Sequence, residues 1–199
     1  MKNIFLFIFL ICAILVGSGF IERIFDYEVY VLGLHIGLFS LGTYLLWKGT
    51  IRKTLKSLNV PGNLKENIGY IVVGLLGIFI IAIILGLLLN YFGFNDQYKV
   101  VEIAKTFSIY MILMGVIVAP ISEEVLFRGF LTNKYGIIVS SLIFSGFHLA
   151  YGSITEMIGA FMIGMILAII FKQSKSLTPC ILIHILYNLF SLYMIWSIL

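Results

Sequence analysis

Ala119-Pro-Ile-Ser-Glu-Glu-Val-Leu-Phe-Arg-Gly129 sets two adjacent carboxylates and an arginine into a chain that is otherwise almost continuously apolar. An ionisable side chain near the bilayer centre costs about 2.5 to 3.5 kcal/mol on insertion scales, so Glu123, Glu124 and Arg128 must be paired, hydrated or put to use. Two further costly side chains, His148 and His184, lie downstream in separate apolar runs.

The surroundings of this stretch decide the fold class. Of 199 residues, 61% are hydrophobic and 11% charged, with a mean hydropathy of +1.12, which is outside the range of water-solvated domains. The chain reads as an all-α, polytopic transmembrane bundle of seven to eight helices. Apolar runs at about 4–21, 29–47, 68–92, 103–119, 136–150, 157–171 and 177–197 give seven spans. The segment 120–133 either prolongs the fourth span or forms an eighth, short membrane helix. Residues 1–199 read as one integral membrane domain, because no linker, repeat or low-complexity tract divides them.

The first run follows Lys2 and ends near Val16-Gly-Ser-Gly19. It is long for a signal peptide and lacks an Ala-x-Ala site, so it reads as a retained signal anchor. Cys12 and Cys180 fall inside apolar runs without framework spacing and read as small apolar side chains. With the N-terminus in the cytoplasm, Lys2, Lys48, Arg52, Lys53, Lys56, Lys65, Arg128, Lys134, Lys172 and Lys175 fall on or toward the inside. These are ten of the thirteen Lys and Arg residues, which is the positive-inside pattern. Topology thus accounts for the pI near 9.0, and without a basic patch interleaved with aromatics a nucleic-acid partner is not indicated. In the loop 48–66, Ile51, Leu55 and Leu58 recur at helical spacing with Arg52, Lys53 and Lys56 on other faces, which predicts a basic interfacial helix.

Helical geometry gives the two acids of the opening stretch different partners. Glu124 and Arg128 are four residues apart on one face, whereas Glu123 points about 100° away. Arg128 then neutralises Glu124 and leaves Glu123 free for general-base work on a water molecule. The competing reading is an ion pair that locks a helix end. Phe144 and His148 share a face, so the ring walls the imidazole, an arrangement that also suits a packing histidine. His184 and Asn188 share a face and can donate toward one point, as an oxyanion hole or as an interhelical hydrogen bond.

Depth links these groups. Counting about 1.5 Å per residue from the inner turns near Lys134 and Lys175 puts Glu123, His148, His184 and Asn188 all roughly 14 to 21 Å deep. Independent structural groups would not need a common layer. His35, in Gly33-Leu-His-Ile-Gly37, has no such company and reads as structural, its GxxxG frame suggesting close helix contact. Tyr187, Phe190, Tyr193 and Trp196 read as packing residues and an outer aromatic belt.

Glu-Glu-x-x-x-Arg at 123–128, Phe-x-x-x-His at 144–148 and His-x-x-x-Asn at 184–188, in this order on successive apolar helices, resemble the three motifs of the CPBP family. That family comprises type II CAAX prenyl proteases and bacteriocin-processing or abortive-infection proteins. Pro120 and Gly129 add to the likeness, which covers about residues 115–195. The resemblance implies an intramembrane endopeptidase in which Glu123 activates water with help from His148, His184 and Asn188 stabilise the oxyanion, and Glu124, Arg128 and Phe144 support them. It implies a membrane-associated protein or peptide as substrate, either prenylated or a bacteriocin or pheromone precursor.

Other readings stand beside this one: a small transporter or proton relay, and a noncatalytic immunity or scaffolding member of the same family. A transporter more often repeats its polar motifs in both halves, and here they lie in the C-terminal half. The cofactor is either none or a zinc ion. Zinc on Glu123, His148 and His184 would keep one position open, but it would take Glu123 as a ligand and leave only the Arg128-paired Glu124 as base. No His-Glu-x-x-His motif is present, and the residues lean toward a water activated by glutamate and histidine. Abundant Ile, Lys and Asn suggest a prokaryotic cell membrane.

Overall fold

The computed structural model describes residues 27–197, and among them every regular element is helical. The predicted span at 4–21, with Lys2, Cys12 and the signal-anchor reading, lies outside the described residues. The chain runs through α1 (Tyr27–Leu45), α2 (Ile51–Ser57), α3 (Leu64–Tyr91), α4 (Tyr98–Lys105) and α5 (Ile109–Leu113). A π-helical turn, π1 (Met114–Val118), then leads into α6 (Ala119–Glu124), a second π segment, π2 (Val125–Thr132), and α7 (Asn133–Phe147). A 3₁₀ turn (His148–Tyr151), α8 (Ile154–Ser174) and α9 (Leu177–Ser197) complete it.

Among the described residues, four helical stretches are long and apolar enough to cross a membrane: Leu64–Tyr91, Ile109–Tyr151, Ile154–Ser174 and Leu177–Ser197. A shorter apolar helix, Val31–Leu45, joins them. The protein is a polytopic helical membrane bundle. The stretch Ile109–Tyr151 has 43 residues, about 65 Å if straight, twice a hydrocarbon core of about 30 Å. It divides at Gly136, whose φ of 87° and ψ of 177° leave the helical region. The motif segment therefore continues the helix that begins at Ile109 and is no separate span.

That helix starts later than its predicted limit of 103. Residues 98–105 form α4 instead, and Ser108 caps the new helix by accepting from Met111 N at 3.2 Å. In α2 the predicted apolar stripe is only partly used. Leu58, just past its end, is buried, but Ile51 is 62% exposed and Thr54 takes the inner face.

Turns gather at two opposite ends. At one, Leu177 N donates to Leu58 O at 2.9 Å and Ser176 Oγ to Asn59 O at 3.0 Å. At the other, Asp96 meets Ser153, Ile154 and Thr155. Between them, Leu38, Leu126, Phe127, Leu131, Phe144 and Ala160 form one buried cluster and Ile71, Ile78, Leu167, Leu177, Cys180 and Ile183 belong to another. With lipid outside and apolar side chains inside, association rests on close packing. Gly42 supplies it for α1, where a Cβ would meet Val125 Cγ1 at 3.0 Å and Leu126 Cα at 3.1 Å. Among the described residues, a Cβ at Gly33 or Gly37 would meet no atom of another element within 4 Å. The close contact expected of the GxxxG frame is therefore made by Gly42, because the inward face of α1 runs through His35, Leu38 and Gly42.

Candidate active site

Pro120 shapes the approach to the site. Ala119 N–H bonds to Met114 O, the i→i+5 bond of π1, and the next residue has no N–H to give. Gly115 O is left without its following i→i+5 donor. Asn188 Nδ2 on α9 occupies that position at 2.9 Å. Wide turns of this kind concentrate at functional sites, and here one recruits a side chain from another helix.

Glu124 is fully buried and serves as a hub. Its Oε1 lies 2.9 Å from Arg128 Nη1 and 2.9 Å from His184 Nδ1. The arginine contact is the i,i+4 pairing anticipated from spacing. It is an ion-pair contact without hydrogen-bond geometry, and Glu124 Oε2 has no hydrogen-bond partner among the described residues. Arg128 is also buried. Its guanidinium lies over the Phe144 ring, 4.4 Å from the centroid, and Nη2 reaches Gly164 O at 3.5 Å. The histidine contact joins residues 60 positions apart, so no local spacing could have announced it.

Glu123 differs from its neighbour. Its side chain keeps 16% exposure, and its Oε2 lies 3.9 Å from His184 Nε2. That separation exceeds a direct hydrogen bond and suits two atoms that share one bridging water. Because His184 Nδ1 faces a carboxylate, it is a donor, so Nε2 accepts in the neutral ring and donates in the protonated one.

His148 closes α7. Its Nδ1 donates to Phe144 O at 3.1 Å, and its ring centroid lies 4.7 Å from that of Phe144. Phe144 also meets His184 edge-on at 6.0 Å, so one buried ring forms a wall for Arg128, His148 and His184. Gly164 lets α8 approach this wall, since a Cβ there would be 3.2 Å from Phe144 Cδ1. His184 and Asn188 share a face as expected, but they donate to different acceptors, Glu124 and Gly115 O. His35, read from the sequence as structural, lies beside the motif helix, its Nδ1 2.9 Å from Ser122 Oγ.

Among the described residues, no three His, Cys, Asp or Glu side chains are grouped to hold a metal ion. Catalytic zinc needs nitrogen and oxygen donors about 2.0 to 2.2 Å from one point. His184 and His148 commit Nδ1 to Glu124 and to the Phe144 carbonyl and leave Nε2 open, the backing a metal-ligating imidazole also receives, so these bonds by themselves do not decide between the two cofactor readings.

Residues 105–190 match the family model described as type II CAAX prenyl endopeptidase Rce1-like. That segment is similar to the Rce1-like family. The match takes in all three motifs and leaves α1 to α3 outside it. An uncharacterized protein of Mycoplasma capricolum subsp. capricolum is 33% identical over 113 residues, covering 53% of this chain and 34% of that protein. The chain thus spans about a third of the length of this curated relative. No solved structure matches.

Proposed function

We propose that this protein is an intramembrane endopeptidase that hydrolyses a peptide bond of a membrane-associated protein or peptide. The observation that carries this reading is the line from Arg128 through Glu124 to His184, which ends 3.9 Å from a carboxylate, Glu123, that has no hydrogen bond among the described residues. A buried ion pair thus fixes an imidazole from behind, and the imidazole faces a free base. The Rce1-like segment supports the same class of chemistry.

In this reading Glu123 takes a proton from water, and the water oxygen attacks the scissile carbonyl carbon. His148, anchored through Nδ1, accepts from the same water at Nε2. Protonated His184 donates from Nε2 to the developing oxyanion, and Asn188 offers the N–H that Gly115 O does not use. The C–N bond breaks as Glu123 returns its proton to the leaving amine. Phe144 contacts the rings of both histidines and helps to hold them. The charge distribution of the loops supports a cytoplasmic N-terminus in a prokaryotic membrane, and bacteriocin-type or prenylated precursors are the substrate classes to test.

Membrane peptidomes of cells carrying wild type, Glu123→Gln and His148→Ala at equal expression test the reading. A defined cleavage product should vanish in both variants. Retention of every product in both would overturn it.

A further inference from the structure

His35 belongs to none of the three motifs and lies outside the Rce1-like segment, yet it touches the motif helix one residue from Glu123. It is 8% exposed, and its Nδ1 is 2.9 Å from Ser122 Oγ. Ser122 is itself buried and donates to Ala119 O at 3.0 Å. A hydroxyl has one proton, so both bonds coexist only when His35 donates from Nδ1. The neutral ring then carries its lone pair at Nε2, which takes no hydrogen bond among the described residues. Its partner Ser122 is the chain neighbour of Glu123, whose Oε2 lies 3.9 Å from His184 Nε2 in the proposed reaction centre.

A packing role does not account for this arrangement. Leu38, one turn further along the same face, is 1% exposed and fills its place without polar atoms. Leucine in place of His35 could not make the bond to Ser122. The chain also commits a second polar side chain, Ser122, to hold it.

We propose that His35 is a positioning residue for Glu123: by donating to Ser122 it fixes the turn of α6 from which the Glu123 carboxylate projects. The inference rests on the peptidase reading and extends the site to α1. Two devices then hold the motif helix in rotation. Glu124 is tied to α9 through His184, Ser122 is tied to α1 through His35, and Glu123 projects between them. Loosening either tie would turn the base away from the water while leaving its chemistry intact.

The chain has three histidines, so imidazole nitrogen NMR of the ¹⁵N-histidine-labelled full chain in detergent micelles can be assigned by single substitutions. His35 should appear as the Nδ1–H tautomer and lose that signature in Ser122→Ala. In the peptidome assay, His35→Leu should lower the Glu123-dependent product by about tenfold to a hundredfold, the scale on which misplacement of a reacting group is felt. His35→Asn, whose amide can still donate to Ser122, should recover most of the yield. An Nε2–H tautomer indifferent to Ser122→Ala would overturn the proposal, as would a Glu123-dependent product that His35→Leu leaves unchanged or that His35→Asn fails to restore. If no product depends on Glu123, the peptidase reading itself falls and takes this role with it.

Discussion

His184 Nδ1 and Arg128 Nη1 converge on one oxygen of Glu124, each at 2.9 Å, so a single buried acceptor ties the motif helix both to itself and to α9. Each contact limits what can be removed. Arg128→Met would strip the countercharge from a fully buried carboxylate, and breaking a buried pair in this way costs about 3 to 5 kcal/mol. The thermal unfolding midpoint in detergent micelles should fall sharply. Glu124→Gln combined with Arg128→Met should recover part of the loss, because no buried charge is then left alone. A double variant as unstable as the sum of the two single variants would contradict this account.

Asn188 and Pro120 are coupled through Gly115 O. Removing the amide in Asn188→Ala leaves a carbonyl unpaired, at a cost of about 1 to 3 kcal/mol. In a Pro120→Ala background the new backbone N–H can reach Gly115 O, so the same substitution should cost less. A double-mutant cycle on unfolding midpoints reads the coupling directly. Equal losses in both backgrounds would refute it. The proposed oxyanion role adds a separate expectation: cleavage lost in Asn188→Ala should stay lost in the double variant, even where stability returns.

Which contacts can be read from the sequence follows a physical division. Contacts within one helix depend only on residue spacing, so the Glu124–Arg128 and Phe144–His148 pairs are legible from spacing alone. Rise per residue supplies an expected level for each group along its helix. Contacts between helices depend on how each helix is rotated about its axis. Depth counting carries no such information. Hence the His184–Glu124 and His35–Ser122 bonds leave no trace in the spacing, and the glycine pair Gly33 and Gly37 suggests a packing face that no other described residue meets. The π turn is hidden for a related reason. Pro120 advertises a disturbed helix, but whether the chain answers with a kink or a wide turn is settled by what fills the freed carbonyl, here Asn188 from a distant part of the sequence.

The same rotation of α1 gives a test on glycines. A Cβ at Gly42 would lie 3.0 Å from Val125 Cγ1 of π2, so Gly42→Val should force α1 away from the motif helix at a cost of about 1 to 3 kcal/mol. Gly37→Val meets no other element among the described residues and should stay within about 0.5 kcal/mol of wild type, as surface substitutions do. Unfolding midpoints of the two variants in micelles should therefore separate clearly. A larger loss at Gly37 than at Gly42 would show that α1 presents a different face.

The end of the bundle near His148 should respond to acid through Asp96. Its Oδ1 accepts from Ser153 Oγ at 2.8 Å and Thr155 N at 3.0 Å, and its Oδ2 from Ile154 N at 3.1 Å and Lys99 Nζ at 3.0 Å. It thus caps α8 from a different loop, while Lys99 Nζ also holds Gly152 O at 2.9 Å, just past the turn that contains His148. These donors, the Thr155 N–H foremost, hold the carboxyl well below its ordinary value near 3.8. Because the folded value lies below the unfolded one, the cap contributes fully above the unfolded value and is lost as pH falls toward the folded one. The wild-type unfolding midpoint should therefore decline on acidification from about pH 5 to about pH 3, and Asp96→Asn should decline less over the same range. Lys99→Met, which removes one donor and leaves the backbone cap, should fall between them. Parallel acid limbs for wild type and Asp96→Asn would mean that the carboxylate does not carry the cap.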